Sequence, residues 1–217
     1  MTGTYAILKV SASKLVAVKS GLDSTGSLVG TAWDGTNYYI ATGSKGIFSD
    51  VDSYATALYS GAASTASRAF NGMIAVGSDI VAVGRNENLL IKKSGSTNFD
   101  IATFSNNLFT GALAVYEAGT DDILLLGVDI DGETYTFGYR EMVLPGGALP
   151  PGSPTLKKPG EGSPTTVTDT AQYASSLGKK PVTNLHQFDA TGKNLLFAST
   201  WKDGLWSYRG GEWNAEE

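Results

Sequence analysis

The chain contains no cysteine and a single histidine, His186. The absence of cysteine excludes disulfide cross-links, a thiol nucleophile and a thiolate metal cluster. A lone histidine excludes a zinc site assembled from several histidines of one chain. Because many exported bacterial proteins also lack cysteine, neither absence identifies the redox compartment.

Charged side chains are scarce, at 17% of residues, and acidic ones outnumber basic ones, which gives a formal net charge of -5. Proteins that bind nucleic acid draw their affinity from clustered lysine and arginine. The lysine pairs here, such as Lys92-Lys93, are short and scattered. We therefore expect no nucleic-acid partner.

Long apolar runs are also missing. In the segment Met1 to Ser20, two short apolar runs are broken by Lys9 and Lys14. A membrane span needs about 20 consecutive apolar residues, and a signal peptide needs an uninterrupted apolar centre. The sequence thus predicts neither a membrane span nor an export signal within these residues.

A repeated local pattern is the main feature that is present. An apolar run ending in glycine or threonine occurs four times, at spacings of 41, 43 and 73 residues: Ile40–Gly43, Val81–Gly84, Leu124–Gly127 and Phe197–Thr200. Each run sits between other extended stretches and turns. Four strands in about 40 residues leave no room for a crossover helix, so the strands must pair as an antiparallel meander. The pattern predicts an all-β fold, a β-propeller of four-stranded antiparallel blades.

The period delimits one propeller domain over residues 1–217, with four blade units: 27–69, 70–110, 111–144 and 182–217. Residues 1–26 are too few for a blade. Because an unclosed ring exposes strand edges, they form either a partial blade of their own or strands that close the last blade. We therefore expect four or five blades.

All seven prolines fall between residues 145 and 181. Proline removes a ladder donor and fixes φ, and this stretch has few apolar residues to bury. We predict a proline-rich loop insertion at 145–181, with a short helix over Thr170–Leu177 that Gly178 ends. Loops of this length are either functional or disordered.

The third strands end in a shared polar, glycine-containing turn followed by an aromatic residue. The clearest case is Asp203–Trp213, with the sequence DGLWSYRGGEW. It resembles the degenerate repeats of sialidase-type and two-component-regulator-type propellers, and Gly138–Glu141 is similar to blade strands in propeller-like surface lipoproteins of spirochaetes. These resemblances imply a structural role for the turn and an exported or surface-attached bacterial protein, hence an extracytoplasmic location.

Glycosidase chemistry needs a pair of carboxylates around one sugar. Asp34, Asp79 and Asp189 occupy the same turn in successive units, so turn formation is their first interpretation. Sialidases also need an arginine cluster, whereas this chain has four arginines, two of which lie in outer-strand motifs. The four are Arg68, Arg85, Arg140 and Arg209. We therefore expect no catalytic residue and no cofactor.

A metal site has one weak candidate. Asp129 and Asp131 begin an Asp-x-Asp-Gly segment like the start of a calcium loop, but Thr134 and Tyr135 stand where later ligands are expected. An Asp-Gly hairpin explains the same residues equally well. We predict no metal site and keep these two aspartates as the alternative.

Aromatic residues supply the candidate binding surface. Trp33 ends an innermost strand, and Trp201 stands beside the turn Lys202–Gly204, so both border the predicted channel mouth. His186 alternates with Leu185 beside the channel. The predicted ligand-binding residues are Trp33, Trp201, Asp34, Asp79 and His186.

The sequence favours a non-enzymatic binding or protein-interaction module whose partner is a protein or a glycan. One alternative is a carbohydrate-binding or glycoside-hydrolysing propeller that uses aspartates and a tryptophan platform. Another is a structural fragment of a larger propeller. The fold is better determined than the function, because one fold hosts many activities.

Overall fold

The computed structural model describes residues 5–11, 14–22, 28–43, 46–59, 70–84, 88–103, 107–117, 122–131, 138–149, 177, 180, 182–189, 194–209 and 212–216. Within these ranges the regular elements are β-strands and two short 3-10 turns, Asp50–Asp52 and Pro145–Gly147. No helix in the described part of the chain has the length and apolar character to cross a bilayer. The short helix predicted over Thr170–Leu177 lies outside the described residues, apart from Leu177 itself.

The strands form five antiparallel sheets, each a meander in chain order. A two-stranded sheet contains β1 (Tyr5–Ser11) and β2 (Lys14–Leu22). Blade 1 contains β3 (Leu28–Trp33), β4 (Tyr38–Thr42) and β5 (Gly46–Ser49). Blade 2 contains β6 (Phe70–Val76), β7 (Asp79–Gly84), β8 (Asn88–Lys92) and β9 (Asp100–Thr103).

The remaining strands form two further blades. Blade 3 contains β10 (Asn107–Glu117), β11 (Asp122–Asp131) and β12 (Gly138–Leu144). Blade 4 contains β13 (Val182–Asp189), β14 (Asn194–Thr200), β15 (Leu205–Arg209) and β16 (Glu212–Ala215). Among residues 1–26, the described strands β1 and β2 pair with each other in a sheet of their own. Whether these residues form a partial blade or close the last one stays a prediction.

The first strands of successive blades, β3, β6, β10 and β13, pack side by side without joining one sheet. A register shift interrupts the pairing of each with the second strand of its blade. Small residues let the backbones approach: a Cβ on Gly30 would lie 2.6 Å from the backbone nitrogen of Met73. Asn71 Nδ2 also donates to the Phe109 carbonyl at 2.6 Å, which links β6 to β10.

Three apolar clusters fill the spaces between neighbouring blades. The second strand of blade 2 shows the consequence, because all six residues of Asp79–Gly84 are buried. A strand covered on both faces is expected to be a continuous apolar run rather than an alternating one. This is the property by which the sequence pattern located the second strands.

Blade 1 departs from the predicted pattern after β5. Instead of the fourth strand that the four-stranded blade pattern predicts, a 3-10 turn follows β5, and an isolated bridge joins Ile47 to Tyr59. The Asp52 carboxylate accepts the backbone N–H groups of Ala55 and Thr56, at 3.1 and 2.8 Å. These side-chain bonds occupy donors that a strand would give to its neighbour.

Candidate functional site

An exposed aromatic pair lies at the β3–β4 turn. Trp33 ends β3 and Tyr38 begins β4, directly opposite in the ladder. Their ring centroids are 6.2 Å apart with an interplanar angle of 26°, and the two residues are 52% and 56% exposed. Tyr38 N–H donates to Asp50 Oδ1 at 3.0 Å, and the next residue, Val51, is 69% exposed. We call Trp33, Tyr38 and Val51 the aromatic platform.

Asp34 closes the turn beside the platform. Its Oδ1 accepts the backbone N–H groups of Thr36 and Asn37 at 2.9 and 2.8 Å, and its Oδ2 accepts the Tyr39 hydroxyl at 2.8 Å. Lys92 Nζ of blade 2 lies 3.6 Å from Oδ2, and the two side chains are only 7% and 9% exposed. Burial raises the pKa of Asp34, but these hydrogen bonds and the lysine outweigh it, so the pKa is lowered from its ordinary value.

Asp79 occupies the corresponding turn of blade 2. Its Oδ2 lies 3.0 Å from Lys93 Nζ, and its Oδ1 accepts the Ser94 N–H at 2.8 Å. The same ammonium donates to the Leu149 carbonyl, beyond the third strand of blade 3, at 2.8 Å. Asp79 therefore contributes to contacts both within its blade and towards the next one.

Two predicted residues, Asp34 and Asp79, are held by consecutive lysines and so lie at the same end of the propeller, next to Trp33. Trp201, 64% exposed, follows β14 in the turn before β15. Successive turns of a meander lie at opposite ends of a sheet, and first strands packed side by side keep equivalent turns at one end. Trp33 and Trp201 thus do not share a site.

The Trp201 turn has its own internal contacts. Lys180 Nζ lies 2.7 Å from Asp203 Oδ1 and 5.4 Å from the centroid of the Trp206 ring. The Trp206 indole N–H donates to the Asp203 carbonyl at 3.0 Å. His186 stands elsewhere in blade 4, on β13 opposite Phe197, with an exposed side chain. As ligand-binding residues, Trp201 and His186 stay predictions.

Asp129 and Asp131 do not begin a turn. Both belong to β11, and Asp131 pairs with Asn107 of β10. The turn predicted at 129–132 is therefore wrong for its first three residues: β10 gives ladder partners to Ile130 and Asp131, and Asp129 lies at a register shift within the strand. A calcium loop wraps the chain around the ion, whereas this backbone is extended. The described residues contain no group of three or more aspartate, glutamate or histidine side chains suited to a metal ion.

A cavity of about 380 Å³ lies between blades 3 and 4. We call it the tyrosine cavity, and its lining is Tyr116, Ile123, Leu125, Tyr139, Glu141, Leu196 and Tyr208. Tyr116 and Tyr208 meet edge to face with centroids 5.9 Å apart. Tyr139 Oη accepts the Trp213 indole N–H at 3.1 Å.

Electrostatics tie Glu141 to the tyrosine hydroxyls. Burial raises the pKa of Tyr139, and the negative charge of Glu141 raises it further. Burial also raises the pKa of Tyr208, followed by the effects of Tyr116 and Glu141. The carboxylate thus lies within electrostatic reach of two phenols that remain protonated at neutral pH.

Sequence reasoning missed Tyr38, Val51 and the tyrosine cavity. Tyr38 was identifiable as the partner of Trp33 across the Asp34-Gly35 hairpin. In an extended Gly138–Glu141 segment, residues two apart share a face, which places Tyr139 beside Glu141. The contribution of blade 4 to the cavity depends on how the blades pack, for which the sequence offers no local signal.

Neither a protein-family model nor a curated protein sequence matches the chain. Among solved structures, it resembles the extracellular domain of a putative hybrid two-component system from B. thetaiotaomicron, with a TM-score of 0.51 and 11% identity. That alignment covers 87% of this chain and 22% of that chain. A chain of the mitotic checkpoint complex aligns with a TM-score of 0.48 and 12% identity, over 95% of this chain and 68% of that one.

At these identities the likeness concerns the fold alone. Together with the four blades of the described residues, the likeness to the two-component-system domain confirms the predicted all-β propeller. The resemblances to sialidase-type repeats and to spirochaete lipoproteins stay predictions.

Proposed function

We propose that the chain is a non-enzymatic protein-interaction module that binds its partner through the aromatic platform. The observation that carries the proposal is the exposure of Trp33 and Tyr38 as a nearly parallel pair. Tryptophan and tyrosine are enriched at protein interfaces because each offers a large contact area at little cost in conformational entropy. Val51 extends this apolar area beyond the two rings.

The chemistry around the platform favours a basic partner. Asp50 and Asp52 flank Val51, and Asp52 is exposed. The whole chain carries a formal net charge of -5, which favours encounter with a positively charged surface. The expected ligand is therefore a protein segment with an apolar anchor next to lysine or arginine.

The bonding of the predicted carboxylates supports binding over hydrolysis. Asp34 and Asp79 each accept backbone N–H groups and pair with a lysine, which fits turn closure. Hydrolysis of a glycoside needs two carboxylates at one sugar. Of the described residues that line the tyrosine cavity, Glu141 is the one with a carboxylate.

Carbohydrate binding is the second candidate, favoured by one specific observation. The Trp33 and Tyr38 rings stack at an interplanar angle of 26° and leave an exposed aromatic surface at the β3–β4 turn. Such a surface suits the apolar face of a pyranose ring as well as an amino-acid side chain. An extracytoplasmic location is also proposed, and it is supported by the description of the first structural neighbour as an extracellular domain.

The experiment selects ligands without assuming a partner. Random peptides displayed on phage are selected on the wild-type chain and counter-screened on Trp33→Ala, while a glycan array is probed with both proteins. We expect selected peptides with an apolar residue beside lysine or arginine, at least tenfold weaker on Trp33→Ala.

Trp201→Ala serves as the matched control, because that tryptophan is also exposed but lies in a different turn. It should leave the peptide affinity unchanged. Selective glycan binding that depends on Trp33 would replace protein interaction with the second candidate. Equal binding of peptides to the wild type and to Trp33→Ala would remove the platform as the site.

A further inference from the structure

The tyrosine cavity has the size of a ligand site. Small-molecule pockets in proteins enclose about 300 to 1,000 Å³, and this cavity of about 380 Å³ falls within that range. It lies beside the apolar cluster between blades 3 and 4, yet three phenols and a carboxylate reach its wall. A space left by imperfect apolar packing would instead be lined by hydrocarbon.

The polar groups of the lining share one electrostatic sign. Among the described residues, the lining contains Glu141 and three phenols but no lysine, arginine or histidine. Aromatic rings present negative potential on their faces, and buried phenols add oxygen lone pairs. A cation entering the cavity therefore meets favourable charge from several directions, whereas an anion meets repulsion from the carboxylate.

The aromatic side chains also hold one another in place. Tyr208 contacts Tyr116 at 5.9 Å and Trp213 at 5.4 Å between centroids. Tyr139 is fixed by its hydrogen bond from Trp213 and by an edge contact with the same indole at 5.9 Å. The wall is thus preorganised, which lowers the entropic cost of binding.

We propose that the tyrosine cavity binds an alkylammonium ion, with Tyr116, Tyr139 and Tyr208 surrounding the alkylated nitrogen and Glu141 supplying the negative charge. Cation–π contacts with desolvated rings are the usual means by which proteins hold such groups. The carboxylate has acceptor sites for several donors at once, so it can meet the ligand alongside its other contacts. This site is separate from the aromatic platform and does not depend on it.

The probes are choline and its uncharged isostere 3,3-dimethylbutan-1-ol, titrated by calorimetry and by tryptophan fluorescence, to which Trp213 contributes. We expect choline to bind at least tenfold more tightly than the alcohol, and n-butylammonium more tightly than butyrate. Equal affinity for choline and the alcohol, stronger binding of butyrate, or no choline binding at a concentration of about 50 mM would each overturn the proposal.

Three variants localise the effect. Glu141→Gln keeps the shape and removes the charge, so choline should bind at least tenfold more weakly while the alcohol is unaffected. Tyr208→Leu removes a ring and should weaken choline severalfold more than the alcohol. Asp100→Asn removes an exposed carboxylate of blade 2 and should change neither.

Melting temperature is recorded for every variant, so that a lost signal from an unfolded protein is recognised. If Glu141→Gln is unstable, Tyr208→Leu decides the question through the choline-to-alcohol ratio. A choline-to-alcohol affinity ratio that stays at the wild-type value in a folded Tyr208→Leu protein refutes binding of the alkylammonium ion in the tyrosine cavity.

Discussion

The contact between Asp34 and Lys92 joins blade 1 to blade 2, and replacing the carboxylate tests whether it stabilises the fold. Asp34→Asn keeps the side-chain shape and an oxygen for the Thr36 and Asn37 N–H groups. It leaves the Lys92 ammonium, 7% exposed, without its counter-charge. The Tyr39 side chain still contacts the ammonium, with Nζ 5.1 Å from the centroid of the ring.

The size of the effect follows from burial. Removing one partner of a buried ion pair costs about 3 to 5 kcal/mol, since the other charge is left uncompensated. Because Nζ and Oδ2 are 3.6 Å apart and the ring still contacts the ammonium, we expect the lower value, about 3 kcal/mol. Adding Lys92→Met removes the unpaired positive charge. The double variant should therefore recover at least about half of the stability lost in Asp34→Asn.

The assay is urea denaturation followed by tryptophan fluorescence, for the two single variants, the double variant and Asp100→Asn as an exposed control. The Asp34 contribution should also depend on pH. Its pKa is lowered in the folded state, so the stabilisation is present above the unfolded pKa of about 3.9 and is lost as the pH falls through the folded value. A loss below about 1 kcal/mol for Asp34→Asn, or additive single variants, would refute the reasoning.

Two further predictions concern the packing between other blades. Gly111 has φ +93°, and a Cβ placed on it would clash with the Asn71 backbone, whereas Gly35 has φ +97° and a Cβ there would meet nothing within 4 Å. Gly111→Ala should therefore lower the free energy of unfolding by clearly more than the roughly 1 to 2 kcal/mol expected for Gly35→Ala from φ alone. Equal losses of stability in urea denaturation would contradict the close strand packing. Tyr139→Phe removes the acceptor of the Trp213 indole and should cost about 1 to 3 kcal/mol at neutral pH. Burial raises the pKa of Tyr139, so its contribution to the free energy of unfolding is complete below the ordinary value of about 10 and is lost as the pH rises above it. Stability should therefore decline less steeply at alkaline pH in Tyr139→Phe than in the wild type. An unchanged decline would count against a buried phenol.

Much of the fold was predictable because blade strands carry local signals. The run Val81–Gly84 is apolar on both faces, and its position within the repeat identified a second strand. Blade 1 was harder beyond β5, because Asp52 bonds to the following backbone in competition with strand pairing. The boundary at Asp129–Asp131 failed for a different reason, since the length of β11 depends on the partner residues that β10 provides.

The candidate sites were predictable only where they are local to one hairpin. Trp33 was identified from its place at the end of an inner strand, and its exposure agrees with that position. The tyrosine cavity draws residues from two blades, such as Glu141 and Leu196. The packing of those blades is a long-range property, and no spacing along the chain specifies it.

Lys92, the last residue of β8, and Lys93, which follows it, determine how well this strand tolerates substitutions and deletions. Lys92 reaches Asp34, whereas Lys93 reaches Asp79 and the Leu149 carbonyl, so adjacent residues serve different neighbours. Because side chains alternate along an extended backbone, deleting one residue of β8 would turn every following side chain to the opposite side. Neither ammonium group would then reach its carboxylate. A substitution of one lysine therefore removes one contact, whereas a deletion in β8 removes both.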